Sequence, residues 1–268
     1  MNLVELLRGK RVVALTGAGC STDSGIPDYR GPNTPPRKRP PIQHREFVDH
    51  EAIRRRYWAR SVIGYPMLSR AQPNAAHHAL AELEQGGAVV GLITQNVDGL
   101  HERAGSNGVE LHGAIRRVRC LACDARTSRA ALQERLLDAN PAYRERTAVA
   151  TPDGDADLDD DARFEIVPCL ACGGVLMPDV VFFGGNVPKD TLDAAWEVFD
   201  RGDVLLVLGS SLTVFSGYRF VRRASERGVP VAIVNRGPTR GDDLATLRVD
   251  AGVAETLTEL LSIVRPSP

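Results

Sequence analysis

RVVALTGAG, residues 11–19, is the stretch that decides the fold: a short apolar run that ends in a glycine-rich turn. Three later runs have the same character, at residues 88–94 (AVVGLIT), 203–209 (DVLLVLG) and 229–235 (VPVAIVN). Runs that are apolar at nearly every position are typical of parallel strands covered on both faces. The four runs therefore predict strands of one parallel sheet.

Helical patterns lie between the predicted strands. One begins after Asn74, which can cap it, and ends at Gly86. Others span about residues 191–200, 217–227 and 253–264. This alternation of strands and helices predicts an α/β fold built on a Rossmann-like, doubly wound parallel sheet.

Two insertions interrupt the alternation and predict a smaller lobe. Residues 32–41 hold five prolines and predict an irregular loop, which leads into an Arg-rich helical stretch that ends near Arg60. Residues 116–174 hold two cysteine pairs, with a helix that Ser128 can cap between them. We expect one domain over residues 1–268, with the following division. The large lobe takes about residues 1–31, 74–115 and 175–268, and the small lobe takes 32–73 (helical insertion) and 116–174 (zinc module).

The composition argues against several classes of protein. The 268 residues carry 33 basic and 34 acidic side chains, which gives a formal net charge of −1. The chain therefore has no excess of positive charge that would attract nucleic acid or anionic lipid. No apolar run approaches the roughly 20 residues of a membrane helix. Residues 1–10 carry Glu5 in their apolar stretch and show neither a signal peptide nor a mitochondrial presequence. We expect a cytoplasmic protein without direct nucleic-acid or membrane partners.

Four of the five cysteines form two Cys-x-x-Cys pairs: Cys120 with Cys123, and Cys169 with Cys172. Four thiolates can complete a tetrahedral zinc shell, and such a closed shell is structural because it leaves no open position for catalysis. The 45 residues between the pairs exceed the usual spacing, and residues 153–161 form part of the excess. That run has six aspartates but lacks the Gly and Glu positions of an EF-hand, which favours a solvated loop. The alternative to zinc is two unrelated pairs of small buried thiols.

Polar and glycine-rich segments follow the predicted strands. Gly17 and Gly19 allow the backbone to approach a pyrophosphate, although Thr22 breaks a strict G-x-G-x-x-G pattern and a tight structural turn is the alternative. Asn96 and Asp98 follow the next strand, where an amide and a carboxylate can together recognise a carboxamide. Considered alone, that pair favours an ordinary turn.

Further motifs follow in a fixed order: residues 25–30 (GIPDYR), 94–101 (TQNVDGLH), 111–113 (LHG), 178–184 (PDVVFFG), 209–212 (GSSL) and 235–239 (NRGPT). Together they resemble the sirtuins, the NAD-dependent protein-lysine deacylases, over about residues 4–260. The class II branch, which includes mitochondrial lipoamidase-type sirtuins, is similar at Tyr29 and at residues 43–44, 57–60 and 237–240.

Two positions depart from the family pattern. Gly185 follows Gly184 where sirtuins usually have glutamate, which affects contacts on the substrate side. Cys20 stands where the family commonly has an apolar residue, and it is interpreted as a small buried hydrophobic residue rather than a redox thiol.

The resemblance implies a reaction that consumes NAD. The acyl oxygen of an acylated lysine displaces nicotinamide, and the products are free lysine, nicotinamide and acyl-ADP-ribose. His112 is the expected general base, and a histidine pKa near 6.5 suits that role at neutral pH. A buried supporting histidine is the alternative. We expect His101 to pack beside the cofactor site, while Asn96 and Asp98 complete the catalytic set with His112.

The resemblance also implies the NAD contacts. Gln95, Asn96 and Asp98 are expected at the nicotinamide and its ribose, and Arg30 is expected to order the loop over the site. The full set expected around NAD is Gly17, Ala18, Gly19, Cys20, Ser21, Thr22, Ile26, Asp28, Tyr29, Arg30, Gln95, Asn96, Val97, Asp98, Gly209, Ser210, Ser211, Asn235, Arg236, Gly237 and Val253.

Residues 180–184 are expected to offer a strand edge to the substrate peptide, because backbone pairing accepts many sequences. A core strand is the alternative. Tyr57 and Arg60 lie three residues apart and could hold an acidic acyl group, as the similar spacing does in succinyl-lysine-removing sirtuins. The favoured alternative is an exposed Arg-rich helix face with Tyr57 packed. The substrate set is Val180, Val181, Phe182, Phe183, Gly184, Tyr57 and Arg60.

Other functions compete with deacylation. A protein mono-ADP-ribosyltransferase would use the same fold and NAD, and a zinc-stabilised NAD sensor would bind NAD without turnover. A dehydrogenase is disfavoured because no acidic ribose ligand stands about 20 residues after the glycine loop. A zinc-ribbon nucleic-acid binder is disfavoured by the neutral charge. The acyl group, the protein substrates and the oligomeric state do not follow from the sequence.

Overall fold

The computed structural model describes residues 1–29, 40–146 and 163–264. Its strands are β1 (Val12–Thr16), β2 (Val89–Thr94), β3 (Gly108–Glu110), β4 (Gly113–Cys120), β5 (Arg126–Ser128), β6 (Leu176–Val180), β7 (Val204–Leu208), β8 (Val231–Val234) and β9 (Leu247–Val249). Its helices are α1 (Leu3–Leu7), α2 (His44–Asp49), α3 (Glu51–Arg70), α4 (Ala75–Gln85), α5 (Leu100–Arg103), α6 (Arg129–Ala139), α7 (Lys189–Phe199), α8 (Phe215–Glu226) and α9 (Val253–Val264).

The larger sheet is parallel and has, within the described residues, the strand order β3-β2-β1-β7-β8-β9. This is the order of a doubly wound Rossmann-like sheet, so the predicted fold class is confirmed. The strand order reverses between β1 and β7. The loops that follow Thr16 and Leu208 therefore lie side by side, at the place where such sheets bind ligands.

Helices cover both faces of this sheet, because consecutive strand residues point to opposite sides. Ala14 packs with α4 and α9 in one apolar cluster, which includes Leu80 and Leu257. Leu15 packs on the other face with α7 and α8, near Phe199 and Phe220. Burial of each large apolar side chain contributes about 1.5–3 kcal/mol, so the covered strands form a rigid support for the loops at their ends.

A smaller antiparallel sheet, in the order β5-β4-β6, lies beside the helical insertion. One apolar cluster includes Phe47 and Trp58 from the insertion, Leu132 from α6, and Phe182 just beyond β6. The helical insertion and the cysteine-containing segment therefore share a core, although they are far apart in sequence.

Helix α3 continues past Arg60 to Arg70, so the prediction that it ends near residue 60 is wrong. Pro66 lies within it and has no N–H to donate to the carbonyl of Val62. The side chain of Gln133, on α6, donates to that carbonyl at 2.7 Å, and Arg129 donates to Ser61 O at 3.2 Å. The contact from Gln133 thus satisfies the one carbonyl that the proline leaves open. Each described helix is too short or too polar to cross a membrane.

Candidate functional site

A cleft of about 860 Å³ opens at the carboxyl ends of β1, β2, β7 and β8. Most residues predicted to contact NAD lie around it: Gly17, Ala18, Gly19, Ser21, Ile26, Asp28, Tyr29, Gln95, Asn96, Val97, Asp98, Gly209, Ser210, Ser211, Asn235, Arg236 and Gly237. His112 and all the residues predicted to contact substrate also line it: Val180, Val181, Phe182, Phe183, Gly184, Tyr57 and Arg60. One cavity thus brings together positions between Gly17 and Pro238 that are far apart in the sequence.

Among the described residues, three that were predicted to contact NAD do not line the cleft. Cys20 is buried, and its thiol donates toward the carbonyl of Leu208. Thr22 donates its hydroxyl to Gly19 O, and Val253 packs in the core beside α9 residues. In this structure these three side chains contact the protein itself, and their contacts with NAD stay predictions. Arg30 lies outside the described residues.

Close packing explains the glycines in the loop that follows β1. Gly19 N donates to Gly209 O at 2.8 Å, which draws the two loops together. A Cβ on Gly17 would lie 2.7 Å from the Cβ of Ser210, and a Cβ on Gly19 would lie 2.9 Å from the Cα of Gly209. Larger residues cannot occupy these positions without separating the loops. The packing of the two loops therefore accounts for a tight structural turn, and the same turn lines the cleft.

Ser21, Asn96 and Asp98 form a hydrogen-bonded group in the cleft wall. Asn96 Nδ2 donates to Gly17 O at 3.0 Å and to Ser21 Oγ at 3.1 Å. Ser21 Oγ donates to Asp98 Oδ2 at 2.7 Å, and burial raises the pKa of Asp98. In the described part of the chain no donor contacts Asn96 Oδ1, so this oxygen is available to an amide N–H of a ligand.

A second polar group lies beneath that wall. Thr16 Oγ1 donates to Thr94 Oγ1 at 2.8 Å and lies 2.9 Å from His101 Nε2, while Asn96 N donates to Thr94 Oγ1 at 3.1 Å. Burial lowers the pKa of His101 to about 3. His101 is therefore neutral at pH 7 and supports the cleft wall from behind, where it does not reach the cleft itself.

His112 lies between β3 and β4, and two hydrogen bonds hold its ring. Nδ1 is 2.8 Å from Gln95 O and Nε2 is 2.7 Å from Ser216 Oγ. A carbonyl oxygen only accepts, so Nδ1 carries the proton and Nε2 keeps its lone pair. Burial, and then the charge of Arg219, lower the pKa of His112. The ring is therefore neutral at pH 7 and basic at Nε2. Ser216 and Arg219 line the cleft and were missed by the sequence analysis.

The residues after β6 connect the His112 loop to the helical insertion. Val181 N donates to His112 O at 2.9 Å, and His44 N donates to Phe183 O at 2.8 Å. Within the described ranges, strand β6 is an edge of the smaller sheet. Phe182 is buried against Tyr57, with ring centroids 5.3 Å apart. The Tyr57 ring is thus packed, as the alternative interpretation of the Tyr57–Arg60 spacing expects, although both side chains line the cleft.

The four paired cysteines converge at the end of the smaller sheet. Their sulfur atoms all lie within 4.8 Å of one another, with Cys120 and Cys172 3.5 Å apart and Cys123 and Cys169 3.9 Å apart. Zn–S bonds of about 2.3 Å in a tetrahedron place sulfurs about 3.8 Å apart, so this cluster fits zinc. None of the four lines the cleft, which agrees with a structural role.

Comparisons with known proteins agree with this geometry. Residues 17–216 match the model described as the Sir2 family. A protein of Mycobacterium avium (strain 104) named NAD-dependent protein deacetylase 1 is 55% identical over 99% of this chain and 96% of its own. A protein of the same name from Streptomyces coelicolor is 51% identical over 96% of this chain and 87% of its own. The solved structure "Sir2-p53 peptide-NAD+" is 31% identical, with a TM-score of 0.79 over 98% of both chains. The chain belongs to the Sir2 family.

Proposed function

We propose that this protein is an NAD-dependent protein-lysine deacetylase, within the broader class of deacylases. The observation that carries the proposal is a cleft that is lined by His112, with a basic Nε2, together with Asn96 and Asp98. The names of the related bacterial proteins support the same activity. NAD is consumed in this reaction and is therefore a substrate, together with the acylated lysine.

The cleft residues divide the recognition of NAD among them. Asn96 Oδ1 accepts from the nicotinamide carboxamide, and Asp98 lies in the same hydrogen-bonded wall. The N–H groups of Gly17, Gly19 and Gly209 donate to backbone carbonyls, so the diphosphate is left to those of Ala18, Ser210 and Ser211. The glycine turn allows the close approach that this requires. Asn235 and Arg236 lie beyond β8 and border the adenosine.

His112 acts after the carbon–nitrogen bond to nicotinamide breaks. The acyl oxygen of the lysine attacks the anomeric carbon of the ribose, and nicotinamide leaves with the bonding electron pair. A ribose hydroxyl then gives its proton to His112 Nε2, and its oxygen attacks the acyl carbon. The lysine amine then takes that proton from His112 as its bond to the acyl carbon breaks. Water adds to the acyl carbon and loses a proton, which leaves acyl-ADP-ribose.

Acylated proteins or peptides are the proposed partners. Strand β6 continues into residues 181–184 at a sheet edge beside the cleft, which suits backbone pairing with many sequences. Val181 and Phe183 are half-buried and line the cleft, and we propose that they wall the tunnel for the acyl-lysine. Structures similar to this chain were solved with an acetylated and with a propionylated peptide.

Zinc has a supporting role in this proposal. Cys120, Cys123, Cys169 and Cys172 would hold it, and it would supply folding stability to the smaller sheet. Backbone N–H groups of Ala122 and Gly174 already point at two of the sulfurs, at 3.4 Å each, as suits thiolate ligands. No step of the reaction requires the metal.

The branch within the family is a finer proposal. We place the chain in class II, on the similarity at Tyr29 and residues 43–44, 57–60 and 237–240. Lipoyl and other long acyl groups are then candidate substrates beside acetyl. A panel of acetyl, succinyl, glutaryl and lipoyl peptides tests this point separately from deacetylation itself.

The test of function combines His112→Ala with an acetyl-lysine peptide, NAD and mass spectrometry of the products. We expect the wild type to form acetyl-ADP-ribose and the variant to lose about 10²–10⁴-fold in rate, while it still binds NAD. His78→Ala, at an exposed position on α4, is the matched control. Near-native turnover of His112→Ala at saturating NAD would refute the role of this histidine.

The same assay separates the competing functions. A protein-bound ADP-ribose adduct without acetyl-ADP-ribose would show a mono-ADP-ribosyltransferase. NAD binding without nicotinamide release from any acyl peptide would show a sensor.

A further inference from the structure

Ser216 is the hydrogen-bond partner of the proposed basic nitrogen of His112 among the residues that the structure describes. Its Oγ lies 2.7 Å from Nε2, and it belongs to the first turn of α8, 104 residues further along the chain. The other ring nitrogen must carry the proton, because its partner is the carbonyl of Gln95. Ser216 therefore donates its hydroxyl proton to the Nε2 lone pair.

The first turn of α8 is fixed against the same residue that holds the other side of the ring. Gly217 packs so closely on the side chain of Gln95 that a Cβ would overlap the amide group. Gln95 Oε1 in turn accepts from Ser210 Oγ at 2.6 Å. Gln95 thus positions both Nδ1, through its carbonyl, and Ser216, through α8. The backbone of Ser216 is therefore fixed beside the ring. Its hydroxyl can leave Nε2 only if its own side chain rotates.

We propose that Ser216 is a positioning residue for His112: its hydroxyl holds the imidazole with Nε2 directed into the cleft until a ribose hydroxyl replaces it. This inference rests on the proposed function, because it concerns the base of that reaction. Nε2 has one lone pair, so two hydroxyl groups cannot donate to it at once. When the ribose hydroxyl donates, the Ser216 side chain rotates away.

The proton balance follows from that exchange. The ribose hydroxyl proton passes to Nε2, the ribose oxygen bonds to the acyl carbon, and Ser216 keeps its own proton throughout. A positioning role therefore affects how often the ring is correctly oriented, whereas a relay role would require Ser216 to transfer a proton.

The first experiment measures kinetics of Ser216→Ala, with Ser225→Ala as the control. Ser225 is exposed on the same helix and lies outside the cleft. We expect kcat of Ser216→Ala to fall about 3- to 10-fold, the size of one neutral hydrogen bond, with little change in KM for NAD or peptide. Ser216→Thr retains a hydroxyl and should recover most of the lost kcat.

An unchanged or raised kcat in Ser216→Ala would overturn the proposal, because the serine would then be no more than a competitor for Nε2. A loss above about 100-fold would also overturn it in favour of a proton relay, since that exceeds the worth of one hydrogen bond.

The second experiment is independent of turnover, so it separates failure of this inference from failure of the proposed function. Protein labelled with ¹⁵N at histidine should show His112 protonated at Nδ1 and hydrogen-bonded at Nε2. In Ser216→Ala the Nε2 resonance should move to the position of a free lone pair, and it should stay in place in Ser225→Ala. An Nε2 resonance that does not move on loss of Ser216 refutes the contact, whether or not the wild type deacetylates peptides.

Discussion

Gly113, directly after His112, offers a quantitative test of how the active loop is held. Its φ of +77° is in the left-handed region, and a Cβ there would lie more than 1 Å inside ordinary contact distance of the Asp179 carbonyl oxygen. Gly228 has a φ of +67° but nothing within 4 Å of its Cβ position. Gly113→Ala and Gly228→Ala therefore both place an alanine in the left-handed conformation. Only Gly113→Ala also creates a steric clash, with the Asp179 carbonyl.

The expected losses of unfolding free energy follow from that comparison. The left-handed conformation of an alanine costs about 1 kcal/mol at either position. At Gly113, overpacking against backbone costs about 1–3 kcal/mol more. Separation of the strands also breaks the bond from Val181 N to His112 O, which contributes about 1 kcal/mol. We expect the free energy of unfolding to fall by about 1 kcal/mol in Gly228→Ala and by about 3–5 kcal/mol in Gly113→Ala.

Urea unfolding of both variants measures the free energies, and deacetylation at a temperature where both remain folded measures the activity. Gly113→Ala should lose most of its activity, because the strand that carries Val181 and the loop that carries His112 must separate. Gly228→Ala should keep wild-type turnover. Equal free-energy losses in the two variants would refute the argument, since only the backbone strain is common to both.

Three further predictions concern the metal, the base and the acyl group. Cys120→Ser should lower bound zinc and the melting temperature together, and one equivalent of zinc retained by this variant would contradict the assignment. Because Arg219 lowers the pKa of His112, and the base acts only when deprotonated, Arg219→Met should move the acidic limb of the kcat/KM profile to higher pH, whereas Arg222→Met on the exposed side of α8 should not. Arg60→Met should reduce activity on succinyl and glutaryl peptides and spare acetyl peptides if Arg60 binds acidic acyl groups, and equal losses on all of them would indicate a structural role.

The long apolar strands were predictable because each is covered on both faces. The runs at residues 11–16, 88–94, 203–209 and 229–235 contain β1, β2, β7 and β8, with ends shifted by one or two residues. Strands β3 and β9 were missed, since each has three residues that are only half-buried. Their position depends on pairing with β2 and β8 rather than on a local pattern.

The site was predictable to the extent that its residues lie in motifs. His112, Asn96 and Asp98 follow strands or precede them, so their convergence on one cleft follows from the parallel sheet. Ser216 could not be found in this way, because its contact with His112 depends on how α8 packs against the end of β2. Arg219 was missed for the same reason, because it lies one turn further along α8.

The environment of His112 shows why a short motif does not fix which nitrogen of a histidine is basic or how its ring is oriented. The sequence Leu111-His112-Gly113 provides the imidazole and the turn, but Gln95 and Ser216 decide which nitrogen is basic, and both contacts come from other segments. Gly113 adds the third constraint, because only a residue without a Cβ lets the strand with Asp179 approach. A chain that retained the motif but lost any one of these three contacts would keep a histidine in the cleft without a fixed orientation. The orientation of the proposed base therefore depends on the packing between β2, β6 and α8. Substitutions in those elements should alter kcat even where they contact no substrate.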